Sequence, residues 1–264
     1  MAKYRNNLPL LDKDRIFLSE GGIMTDMFFG EETKDVKVPP SNLLFHFIKD
    51  EKMMNWASNY NRKFMDICLK ENTEFGYVLL SFYQYKARKQ EVKEILNIDE
   101  EEWITMNRDY IQALVDLRTE YETSVPNCPP IPIGGLVVPK GDEGENYAIA
   151  GKMTIKEAEE YHHDQIKVIA EETKSDFLLA ALVAYSEEAI GMCNVAAKYG
   201  IPVVISFTCK TDGTLYGGET IKVLHKLAKV SDLLTIRKSM HILKMIYNLT
   251  LAFLFLCVII AGIN

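Results

Sequence analysis

The sequence predicts an α/β fold of about five βα units on a parallel sheet, followed by a hydrophobic C-terminal helix. Three observations predict it. From Arg15 to about Val230, short β-rich apolar runs alternate with longer amphipathic stretches. The short runs are nearly continuous in apolar residues, as strands covered on both faces are. After Val230 the alternation stops, and Met245 to Ile263 (MIYNLTLAFLFLCVIIAGI) runs for 19 residues without a charge.

The elements come in order. Ile16–Ser19 reads as the first strand, and Lys52 to Lys70 as the first long helix. Tyr77–Phe82 is the second strand, Glu101 to Glu122 the next helix, and Ile131–Leu136 the third strand. Thr154 to Glu172 opens with Thr154 at the N-cap and Glu157 three residues later, a capping box. Its apolar positions Ile155, Ala158, Tyr161, Ile166 and Ile169 recur near helical spacing. Phe177–Leu182 is the fourth strand. Ser186 to Tyr199 is a helix ended by Gly200, and Pro202–Phe207 is the fifth strand. A fifth helix is expected from Glu219 to Lys229.

Composition narrows the function classes. A chain of 264 residues, 48% hydrophobic and 25% charged, can bury one large core and predicts one principal domain. We divide it into an N-terminal extension (1–14), the βα region (15–230) and a divergent hydrophobic tail (231–264). A net charge of −7, with Lys and Arg spread along the chain, excludes a nucleic-acid footprint. The five cysteines Cys68, Cys128, Cys193, Cys209 and Cys257 form no CxxC pair, and no apolar signal run opens the chain. A reducing, cytoplasmic compartment is expected. As a helix the tail would reach about 28 Å, close to a bilayer core. Arg237, Lys238 and Lys244 precede it, so a tail anchor would leave the main domain in the cytoplasm. Asn248 and Thr250 oppose that reading, and a buried segment is its alternative. Membrane contact through Met245 to Ile263, and an oligomer, both stay open.

Four stretches carry chemistry. Ser19-Glu20-Gly21-Gly22-Ile23-Met24-Thr25 comes directly after the first strand. Its glycines admit close ligand approach, and Glu20 stands where parallel barrels place catalytic groups; an ordinary turn is the alternative. Gly134-Gly135 to Asp142 resembles a phosphate loop only loosely, lacking the order GxxxxGK[ST]. Glu159 and His163 are spaced i,i+4 as metal ligands can be, although a solvated helix face accounts for them as well. Cys209 beside Lys210 could have a lowered pKa, but no Cys–His partner can be placed.

Together, FLSEGGIMTDMFF, GGLVVPKGDEGENY, MTIKEAEEYHHDQI and SEEAIGMCNVAAKYGIPVVISFTCKTDGTLYGGETI resemble the homocysteine S-methyltransferase family. The resemblance covers roughly residues 15–230 and is strongest from Pro132 onward. It implies a (β/α)8-type barrel, here incomplete. It also implies methyl transfer to the thiolate of homocysteine from a donor such as S-methylmethionine or betaine, with zinc holding the thiolate. By that resemblance, Glu20, Gly21, Gly22 and Thr25 bind the substrate.

Departures accompany the resemblance. Glu20 replaces the usual Asp, Gln84 and Lys86 replace a Thr and an Arg, and Ala181 falls where many members place a substrate-binding Glu. The family's zinc cysteines come from an Asn-Cys and a Cys-Cys pair; this sequence has no Cys-Cys pair, and no zinc ligand is assigned. The expectation is a truncated relative. The alternative is a non-catalytic, tail-anchored protein that reuses the barrel half as a binding or scaffold module.

Overall fold

The computed structural model describes residues 1–12, 14–37, 43–70, 75–140, 151–208, 210, 212–220 and 255–261. The chain divides into two compact units, Met1–Leu136 with Glu171–Asp176, and Val137–Ala170 with Phe177–Asn264.

In the first unit, strands β1 (Phe17–Ser19), β2 (Gly76–Leu80) and β3 (Ile133–Val137) pair in parallel and in sequence order. Helices α1 (Ile23–Phe29) and α2 (Glu51–Met65) lie between β1 and β2 in sequence; α3 (Lys89–Leu96) and α4 (Glu100–Ser124) lie between β2 and β3. Parallel strands need such crossovers, because a hairpin cannot join them. Capping starts the longer helices where the sequence allows it. The Asp50 carboxylate accepts the Met53 amide at α2, and Asp99 accepts the Glu102 amide at α4. Along α4, Trp103, Met106, Tyr110, Ile111, Leu114, Leu117 and Tyr121 are buried, a spacing of three and four that turns one face inward. Burying each such side chain contributes roughly 1.5–3 kcal/mol.

At the N-terminal side of β3, Asp176 is fully buried. Its Oδ2 accepts Arg118 Nη1 at 2.9 Å and the Ile133 amide at 2.9 Å, and its Oδ1 accepts the Tyr4 amide at 2.6 Å. Arg5 donates to the Ser175 carbonyl at 2.7 Å, so residues of the N-terminal segment are fastened to this unit.

In the second unit, β4 (Phe177–Val183) and β5 (Val203–Thr208) are parallel, joined through α6 (Ser186–Lys198). Helix α5 (Ile155–Lys167) packs against α6. That contact needs Gly191, since an added Cβ would stand 2.6 Å from Ala158 Cβ and 2.9 Å from the Ile155 carbonyl oxygen. The capping box is formed, with Thr154 accepting the Glu157 amide and Glu157 reaching back to the Thr154 amide.

The tail requires a correction. Phe255–Ala261 is not part of a helix but a strand, β6, antiparallel to β5. Its Val, Ile and Phe content favours a pleated surface, and pairing occupies backbone groups that a sheet edge leaves open. The rest of the expected tail helix, and residues 221–229 of the expected fifth helix, lie outside the described residues. Among the described residues, no helix is long and apolar enough to cross a membrane.

Candidate functional site

The turn after β1 is built from the residues singled out in the sequence. Gly22 sits at φ +74° immediately before α1, a conformation that favours glycine. Glu20 Oε2 accepts the Ile23 amide at 3.1 Å, which satisfies one open donor of that helix start. From α2, the Tyr60 hydroxyl donates to the Gly21 carbonyl at 2.7 Å. Tyr60 stands in an aromatic row on α2, with ring centroids 5.5 Å from Trp56 and 5.4 Å from Phe64.

The electrostatics centre on Glu20. Burial pushes its carboxyl above the usual carboxylate range, and the Ile23 amide opposes that shift. Burial also raises the Tyr60, Tyr77 and Tyr110 phenols, with the Glu20 charge adding to each. Gly21 and Gly22 are exposed, and Thr25 lies on the exposed side of α1. The structure therefore places Glu20, Gly21 and Gly22 in one turn, with Thr25 following in the first turn of α1. A half-buried carboxylate beside open glycine backbone can receive a ligand ammonium group.

Other sequence candidates have different partners. Gln84 is fully buried; its Oε1 accepts the Leu136 amide at 3.0 Å and its Nε2 donates to Asn107 Oδ1 at 2.8 Å, so it fastens the segment after β2. Lys86, at φ +55°, places its ammonium 5.5 Å from the Tyr85 ring centroid. Ala181 is half-buried in β4 and presents a methyl group instead of a carboxylate. Gly134 and Gly135 lie within β3. Glu159 accepts from Asn194 and Lys198, whereas His163 meets Asp164 and the Tyr199 hydroxyl; the two tie α5 to α6 and to the residue that ends it. Cys209 lies outside the described residues.

The described residues do not fit a zinc ion. No group of three or more His, Cys, Asp and Glu among them stands close enough to hold a metal. Zinc binds thiolates. Burial raises the thiols of Cys68 and Cys128 and pushes that of Cys193 up to about 12.

Sequence reading missed Tyr60 and, in the second unit, Tyr185 and Glu188. Tyr60 left one signal, its i,i+4,i+8 stripe with Trp56 and Phe64. Glu188 Oε1 accepts the Lys140 amide at 2.7 Å and lies 2.9 Å from His162 Nε2, with both side chains buried. Of the adjacent histidines, His162 is the buried one.

Solved structures with the same fold include the Escherichia coli homocysteine methyltransferase MmuM. Its metallated form matches with a TM-score of 0.66 at 15% identity, covering 84% of this chain and 73% of that chain. Its oxidized form gives 0.64 at 15% identity (86% and 73%), and its apo form 0.58 at 13% (86% and 71%). No curated protein matches the chain significantly. Likeness at such identities speaks for the fold alone. A family model described as Homocysteine S-methyltransferase matches residues 77–238, more than half of the sequence, and the chain belongs to that family.

Proposed function

We propose that the chain binds homocysteine through its amino-acid part at the Glu20-Gly21-Gly22 turn and transfers to its sulfur a methyl group from an onium donor such as S-methylmethionine or betaine. The observation that carries this reading is the half-buried Glu20 carboxylate, held by the Ile23 amide beside exposed glycine backbone. An ammonium group arriving there restores to the carboxylate what burial removes. The exposed backbone of Gly21 and Gly22 lets the substrate approach without a side chain intervening. Tyr60 holds the turn from beneath through the Gly21 carbonyl.

Chemically, the thiol gives its proton to solvent and the thiolate attacks the donor methyl carbon. The new S–CH3 bond forms as the onium C–S or C–N bond breaks, and that electron pair stays on the donor heteroatom. The products are methionine and the demethylated donor. No step is assigned to a metal.

Calorimetric titration with homocysteine, together with detection of methionine formed from S-methylmethionine, tests the reading. Binding that Glu20→Gln weakens supports it. Equal binding by the wild-type chain and Glu20→Gln would sink it.

A further inference from the structure

Both tryptophans of the chain are buried in the first unit, and their indole nitrogens differ. Trp103 Nε1 donates to the Ala87 carbonyl at 3.0 Å. Trp56, only 8% exposed, has no acceptor for its Nε1. A buried indole N–H usually has one, because an unmet donor costs its full desolvation. Trp56 lies in the wall of an open groove of about 550 Å³, with Glu51, Lys52, Asn55 and Asn59 of α2 and Glu32 of the segment after α1. None of the six belongs to the Glu20 turn.

The lining carries charge of both signs. Lys52 and Trp56 are four residues apart on α2, as are Glu51, Asn55 and Asn59 in succession. A cation and an indole therefore share one line along the helix, and a carboxylate and two amides share the next. Some of these groups already have partners. Glu32 pairs with Lys63 at 3.4 Å, and Asn59 Oδ1 accepts Arg62 Nη1 at 2.9 Å. The helix end is closed as well, because Asp50 takes the Met53 amide. Among the described residues, the exposed Glu51, Lys52 and Asn55 side chains have no hydrogen bond or ion pair. What remains is one carboxylate, one ammonium, one amide and one indole N–H.

A ligand that answers all four has an anionic acceptor for Lys52 and Trp56 Nε1, and a cationic donor for Glu51 and the Asn55 side-chain oxygen. A simple anion would leave Glu51 without a partner and bring like charge toward it. A simple cation would do the same at Lys52. We propose that this groove binds a zwitterionic α-amino acid, its carboxylate on Lys52 and the Trp56 indole and its ammonium on Glu51. Such binding is independent of methyl transfer at the Glu20 turn.

The test follows the two indole N–H signals of the full chain by ¹H–¹⁵N NMR during titration with L-methionine, an α-amino acid with an unreactive side chain. Acetate, methylamine and glucose serve as comparison probes. The Trp56 signal is expected to shift to saturation as its hydrogen gains an acceptor, while Trp103, already bonded to Ala87, stays in place. Lys52→Ala and Glu51→Gln, both on the exposed side of α2, are each expected to raise the Kd about tenfold, the loss of one charge-assisted contact. Glu20→Gln is expected to leave the titration unchanged. An unmoved Trp56 signal overturns the proposal, as does a shift that Lys52→Ala and Glu51→Gln leave untouched. A shift driven equally well by acetate, methylamine or glucose overturns it too, since half of the ligand, or a neutral hydroxyl compound, would then suffice. A shift that Glu20→Gln abolishes assigns the amino acid to the Glu20 turn and refutes the groove.

Discussion

At Glu20, burial raises the carboxyl pKa while the Ile23 amide favours the charged form, and burial is the larger influence. A group whose folded pKa is raised contributes stability below its unfolded pKa and loses it as pH rises through the folded value. Glu20→Gln is therefore expected to leave the ligand-free protein equally or slightly more stable at pH 7, measured by thermal unfolding. Homocysteine binding runs the other way, because an ammonium needs the carboxylate. Wild-type affinity is expected to fall as pH drops through the raised Glu20 pKa, and Glu20→Gln to be weaker by about tenfold to a hundredfold with that pH dependence flattened. Titration calorimetry across the acid range reads both. Tyr60→Phe removes only the bond to the Gly21 carbonyl; about 1 kcal/mol of binding is expected to go with it, read in the same titration.

Among the elements, the clearest sequence signals were the capped ones. The Thr154–Glu157 box and the Gly200 stop, at φ +64°, bracket α5 and α6 as their residues predict. Two short helices escaped notice for a matching reason: the residues at their N-caps, Gly22 for α1 and Arg88 for α3, make no capping hydrogen bond with their own side chains. The apolar run FLCVIIA has no period that separates a strand from a helix, and its pairing with β5 is a tertiary fact. The candidate site divides similarly. Paired glycines advertise the turn at Glu20, but Tyr60 reaches it across 39 residues and Tyr185 reaches Met153 across 32, distances at which spacing says nothing. Thr154→Ala is expected to cost about 1 kcal/mol in urea unfolding. Gly191→Ala should cost about 1–3 kcal/mol, because α5 and α6 must part to admit the methyl group.

For the whole molecule, the Asp176 cluster joins the N-terminal segment, α4 and β3 of the first unit through one carboxylate. Asp176→Ala would leave Arg118, itself only 4% exposed, as a buried charge without its partner. That is expected to cost about 3–5 kcal/mol, a large part of an ordinary folding free energy, and to show as a lowered unfolding midpoint. The same bond has a consequence in the order of synthesis. The carboxylate that takes the Tyr4 amide is encoded 172 positions after Tyr4. At the usual pace of translation that interval is about ten to thirty seconds. Throughout it the Tyr4 amide lacks the carboxylate that receives it in the fold, and the segment around it stays open to chaperones and proteases.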